Sequence, residues 1–96
     1  MSTQVVLVTG AAGGMGRAIA RRFAAGGWQV AATDLDDDAL TELEREVPLV
    51  ARVPADLRYP EACYGVLGET ITRARRLDAL VNAAGVWREG PVESFS

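Results

Sequence analysis

The strongest constraint on the fold of this chain lies near its start. Val5-Val6-Leu7-Val8 runs without a break into Thr9-Gly10-Ala11-Ala12-Gly13-Gly14-Met15-Gly16, and a helix-patterned stretch follows at once. A continuous run of β-branched residues and leucine suits a parallel strand covered on both faces. From Gly14 to about Ala25 the apolar residues Met15, Ile19 and Phe23 recur every fourth position, with Arg17, Arg21 and Arg22 largely on other faces. That spacing predicts an amphipathic helix. Gly26-Gly27 ends it, because glycine accepts the left-handed conformation a helix end needs.

The alternation continues down the chain. Trp28 to Thr33 reads as a second strand with Asp34 at its carboxyl end. Asp36, Asp37 and Asp38 supply an N-cap and an acidic first turn for a helix to about Glu46, closed by Pro48. Leu49 to Val53 reads as a third strand. Pro60 starts a helix to about Arg76, with Arg73, Arg75 and Arg76 at its negative end. Asp78 to Ala83 gives a fourth strand. The order β-α-β-α-β-α-β predicts an α/β fold with a parallel sheet and crossover helices.

Composition then narrows the chemistry. Ninety-six residues, 49% hydrophobic and 24% charged, make one small globular domain at most. There is no histidine, and all ten basic residues are arginine. A Ser-His-Asp or Cys-His catalytic set, histidine metal ligands, a lysine Schiff base and a G-x-x-x-x-G-K-[ST] phosphate loop are therefore excluded within these residues. Cys63 is the one cysteine; it is expected to be a small, partly buried helix residue, with no disulfide and no metal cluster. A net charge of −3 gives no general support for nucleic acid or an anionic membrane as partner. With no long apolar run and no basic leader pattern, a soluble cytoplasmic protein is expected. Charge is zoned: residues 1–33 sum to +3, 34–49 to −6, and 50–96 balance.

The glycine-rich stretch has a definite physical use. A pyrophosphate bound at a helix N-terminus must approach unsatisfied backbone N–H groups closely, and a Cβ at the nearest positions would collide with it or with the adjacent strand. Gly10, Gly14 and Gly16 form G-x-x-x-G-x-G, with Met15 between the last two; Ile19 stands where a G-x-G-x-x-G version would need its last glycine. Asp34 lies eighteen positions after Gly16, at a strand end. A carboxylate there accepts the ribose hydroxyls of an adenosine and repels a 2′-phosphate. Gly13 and Leu35, not basic residues, flank it, so NAD is favoured over NADP.

Thr9 to Gly16 resembles the T-G-x-x-x-G-x-G signature of the short-chain dehydrogenase/reductase family. Asp56-Leu57 resembles that family's adenine-contacting pair. Asn82-Ala83-Ala84-Gly85 resembles its N-N-A-G motif, with Ala83 in place of the second asparagine. The resemblance runs from Gln4 to about Gly90. It implies a Rossmann-type sheet of strand order 3-2-1-4, with the first two helices on one face and the third on the other. It also implies that Asn82 to Gly85 brace the sheet beside the nicotinamide ribose. The stretch Arg76 to Gly85 further resembles the 2,3-dihydro-2,3-dihydroxybenzoate dehydrogenases of siderophore synthesis.

The family's chemistry is hydride transfer, with a serine and a Tyr-x-x-x-Lys pair. Here Tyr59 is followed four places on by Cys63 and Tyr64 by Gly68, and both precede Asn82. Both tyrosines are expected to pack on a helix flank. The catalytic set is absent, and Trp87, Arg88 and Glu89 fall near the substrate side without an assigned role. Residues 1–96 thus read as the first, cofactor-binding half of such an enzyme, inactive alone. A homo-oligomer and a small-molecule substrate belong to a longer parent. The fourth strand should be an open edge beside a partly bare face, leaving the isolated chain marginal. The alternatives are a non-catalytic nucleotide-binding or interaction module and a truncated gene product.

Overall fold

A computed structural model describes residues 3–83. Its elements are β1 (Val5–Thr9), α1 (Gly14–Ala25), β2 (Gln29–Asp34), α2 (Asp37–Glu44), β3 (Leu49–Pro54), α3 (Pro60–Ala74) and β4 (Ala79–Asn82). The strands form one parallel sheet in the order β3-β2-β1-β4. Both the alternation and the strand order are those expected.

All five residues of β1 are buried, as a strand covered on both sides requires. Val6 and Val8 face one layer with Ala20 of α1 and Leu40 and Leu43 of α2. Leu7 faces the opposite layer with Ala31, Ala51 and Val66 of α3. The first two helices therefore share one face and the third takes the other. Phe23 and Trp28 close the far end of the first layer edge to face, with ring centroids 5.0 Å apart. The chain turns between them through Gly27 at φ 90°.

The strand ends differ from the sequence reading by single residues, and the helices depart from it at three points. On α1 the buried residues are Gly16 and Ala20, with Ile19, Phe23 and Ala24 packed beside them, while Met15 is 51% exposed. The buried stripe is rotated by one residue because the backbone of Gly16 presses on the preceding turn. A Cβ built on Gly16 would lie 2.0 Å from the Gly10 carbonyl oxygen and 2.7 Å from the Ala11 Cα. Next, α2 ends at Glu44 rather than Glu46. Val47 is drawn into the core before Pro48, and its N–H donates to the Leu43 carbonyl. Finally, α3 ends at Ala74, since Arg75 takes the left-handed conformation at φ 73°. Only Arg73 of the three expected arginines is in the last turn, where it pairs with Glu69.

The β1–β4 seam is fastened at its start by Asp78. Its Oδ2 accepts from the Val5 N–H at 2.8 Å, and the Arg76 guanidinium grips both oxygens. Among the described residues no strand pairs with the outer side of β4. Leu80, beside Leu7 in register, is 57% exposed.

Two predictions follow from this packing. Gly16→Ala forces backbone apart and should cost about 1–3 kcal/mol, whereas Gly14→Ala, with nothing within 4 Å of the added Cβ, should change stability by less than about 1 kcal/mol; urea melts of the two variants check the contrast. The hydrogen bonds from Arg76 and then from the Val5 N–H hold the Asp78 carboxyl below its ordinary pKa. A depressed carboxylate contributes stability above the unfolded pKa and loses it as pH falls through the folded one. The melting temperature should therefore drop as pH falls below about 4, with a shallower drop in Asp78→Asn.

Candidate functional site

A cleft of about 730 Å³ opens at the carboxyl ends of the strands, lined by Thr9, Gly10, Gly13, Asp34, Asp56, Leu57, Asn82 and Ala83 among others. Parallel α/β sheets place ligands at this end, where neighbouring crossovers diverge to opposite faces. β1 is that divergence here, since α1 and α3 lie on opposite sides of it.

The turn after β1 is built from the backbone outward. Gly10 takes φ 64°, which glycine adopts without steric cost. Its carbonyl then accepts from the Gly13 N–H at 3.2 Å. The Ala11 N–H continues the sheet by donating to the Thr33 carbonyl, and the Ala12 N–H donates to Oδ2 of Asp34 at 3.1 Å. Arg17 clasps the turn from the other side. Its Nε donates to the Ala12 carbonyl and its Nη2 to the Ala39 carbonyl. Sequence reading left Arg17 without a role. Its signal is an arginine at the positive end of a helix, an unfavourable place that calls for a compensating contact.

The start of α1 differs from the other two helix starts. Its N-cap is Gly13, which offers no side-chain cap, and its first turn contains no acid. By contrast, α2 is capped by Asp36 and has Asp37 and Asp38 in its first turn, while α3, whose N-cap Tyr59 also makes no side-chain cap bond, has Glu61 there. The N–H groups at the head of α1 are thus left to an anion, in the positive field of the helix dipole. Open space at the Cα of Gly14 leaves room for one. Met15 stands exposed beside it.

Asp34 closes the next part of the cleft. Its Oδ1 accepts from the Asp36 N–H at 3.1 Å while Oδ2 holds the Ala12 N–H, so the carboxylate is fixed between the turn and the α2 cap. Capping of α2 itself falls to Asp36, whose side chain accepts from the Ala39 N–H. Beyond it, the Ala55 N–H donates to the Asp34 carbonyl and brings Asp56-Leu57 alongside. Asp56 is gripped by Arg58, and these hydrogen bonds hold its carboxyl below the usual value and raise the arginine's. The sequence reading passed over Arg58. An aspartate opening a turn after a strand was the available signal.

On the far side, the Thr9 hydroxyl donates to Oδ1 of Asn82 at 2.6 Å, which leaves the Asn82 amide nitrogen to donate elsewhere. The Ala83 N–H donates to the Thr9 carbonyl. Ala84 and Gly85, together with Trp87, Arg88 and Glu89, lie outside the described residues. Cys63 is half-buried and lines the cleft, with its thiol donating to the Leu57 carbonyl. Neither tyrosine packs on a helix flank. Tyr64 is exposed, and exposed Tyr59 lies against the Arg58 guanidinium. No helix among the described residues is long and apolar enough to cross a membrane. No group of metal-ligating side chains occurs among them either.

The family model described as short chain dehydrogenase matches residues 4–96. Sulfoacetaldehyde reductase 2 of Chromohalobacter salexigens is 41% identical over 87 residues, which make up 88% of this chain and 34% of the relative. A metagenomic short-chain oxidoreductase solved in complex with NADP superposes with a TM-score of 0.80 at 36% identity, covering 98% of this chain and 45% of that one. The 3-ketoacyl-(acyl-carrier-protein) reductase of Brucella melitensis, complexed with NADH, gives a TM-score of 0.76 at 29% identity over 82% of this chain and 33% of that one. The chain spans roughly a third to under half the length of these relatives. The turn after the first strand, the parallel sheet and the match along nearly the whole sequence agree: the chain belongs to the short-chain dehydrogenase family.

Proposed function

We propose that residues 1–96 form the N-terminal, NAD-binding half of a dinucleotide-binding short-chain dehydrogenase domain. The observation that carries this reading is the start of α1, whose N-cap Gly13 makes no side-chain cap and lines, together with Gly10, a cleft shared with Asp34. In this reading the N–H groups of Gly14, Met15 and Gly16 receive the pyrophosphate, and Asp34 accepts from the adenosine ribose. Asp56 and Leu57 meet the adenine, and Asn82, Ala83, Ala84 and Gly85 support the nicotinamide side. Bound NAD would supply the hydride acceptor; this chain's residues bind and orient it.

The preference for NAD rests on charge. Asp34 is held in place by two backbone N–H groups, so it cannot swing aside for a 2′-phosphate without losing both. Gly13 and Leu35 offer no cation nearby. The relatives solved with NADP and with NADH leave that choice to these local residues.

Turnover needs the serine and Tyr-x-x-x-Lys that these residues lack, so the chain alone binds without catalysing. The whole enzyme then moves a hydride between NAD and a small alcohol or ketone, in the cytoplasm and as a homo-oligomer. The likeness of Arg76 to Gly85 to 2,3-dihydro-2,3-dihydroxybenzoate dehydrogenases makes a cyclic diol the first substrate to try.

Calorimetric titration of the chain with NAD and NADP tests the binding half. Asp34→Ala should weaken NAD about tenfold or more, the worth of hydrogen bonds to a charged acceptor, and narrow the gap to NADP. Gly14→Ala should lose NAD while keeping its fold. Unchanged NAD affinity in both variants, or a wild-type preference for NADP, contradicts the reading.

A further inference from the structure

We infer that Arg58 is the positioning residue for purine selectivity in this cleft: its guanidinium fixes the Asp56 carboxylate as an acceptor facing the base and supplies the positive charge that the lining otherwise lacks. The inference rests on the dinucleotide reading above and extends it to a residue that reading does not use.

The contact is a fork, not a single bond. Arg58 Nε donates to Oδ1 at 3.0 Å and to Oδ2 at 3.2 Å, and Nη2 donates to Oδ2 at 2.7 Å. The Arg58 backbone N–H adds a third donor, to Oδ1 at 3.0 Å. Planar pairing of this kind fixes orientation as well as distance. The partners divide the surface between them, the Asp56 side chain 24% exposed and that of Arg58 79%. The arginine thus occupies the solvent side, and the Tyr59 ring, 5.8 Å from the guanidinium carbon, steadies it. An ionised carboxylate has about four acceptor positions, so these three N–H donors, one of them shared between the two oxygens, leave one position for a donor from the cleft.

Charge points the same way. Among the described residues lining the cleft, Asp34 and Asp56 are the anions and Arg58 is the cation. A ligand with two phosphate charges would otherwise meet two uncompensated carboxylates. An acceptor-only group also reads the base. The 6-amino group of adenine donates to it, whereas the 6-oxo group of hypoxanthine has no proton to give. Turned away or left free to rotate, Asp56 loses that distinction.

Calorimetric titration of the full chain with NAD and with its hypoxanthine analogue, nicotinamide hypoxanthine dinucleotide, tests this. Wild type should favour NAD about tenfold or more. Arg58→Ala should reduce that ratio to within about threefold at an unchanged melting temperature, since the arginine is exposed. Arg58→Lys should fail to restore it, because an ammonium cannot fork. An undiminished ratio in Arg58→Ala overturns the inference, as does equal affinity of wild type for the two dinucleotides. In a parallel titration with NADP, a loss of NADP affinity alone in Arg58→Ala overturns it too, making Arg58 a 2′-phosphate reader. Failure of wild type to bind NAD at all overturns the dinucleotide reading and this inference with it.

Discussion

Everything at the strand ends depends on one close approach, that of Gly16 to the carbonyl of Gly10. No side chain larger than hydrogen fits between them. The contact lets α1 begin within four residues of the turn and rise directly over β1. Once the helix is seated, Ala11 is buried, the Ala12 N–H meets Asp34, and Arg17 can reach back to the Ala12 carbonyl. A bulkier residue at position 16 would lift the helix head and separate the turn from Asp34. Stability and site geometry are therefore one constraint at this point, while Gly14, in open space, is free of the packing part of it.

The acidic stretch from Asp34 to Glu46 shows how the chain separates one functional carboxylate from many ordinary ones. Asp36 caps α2. Asp37 and Glu44 pair with Arg52, Glu46 with Arg21, and Glu42 with Arg45. These pairs are all solvent-facing and individually contribute little, but they neutralise the run of acids away from the cleft. Of the acids in that stretch, Asp34 alone lines it. The local excess of −6 in the sequence is thus mostly a solvated helix surface, and the cleft meets only its first member.

The fold was largely legible because its signals are local and consistent. A β-branched run means a covered strand, glycines end or start helices, and a single dominant topology joins such elements. Asp34 stood out because it sits where a strand ends, which is what periodicity locates, whereas Asp56 and Asn82 were singled out by resemblance to the family's motifs. Met15 misled because helical spacing records only side chains, and the tightest contact on α1 is made by a residue that has none. The early ends of α2 and α3 were hidden for another reason. Val47 packs just past the helix end in the same core cluster as Leu40 and Leu43, and Arg75 takes a backbone conformation usually reserved for glycine. Arg58 was passed over as a partner of Asp56 because a pair two residues apart across a turn has no periodic signature, only the turn signal of an aspartate after a strand.

The most direct measurement of the central claim is an amide-resolved NMR titration of the isotopically labelled chain with NAD. The account predicts that the N–H resonances of Gly14, Met15 and Gly16 move most and saturate together with those near Asp34. Shifts confined to other surfaces, or an unmoved α1 start at saturating ligand, would contradict it.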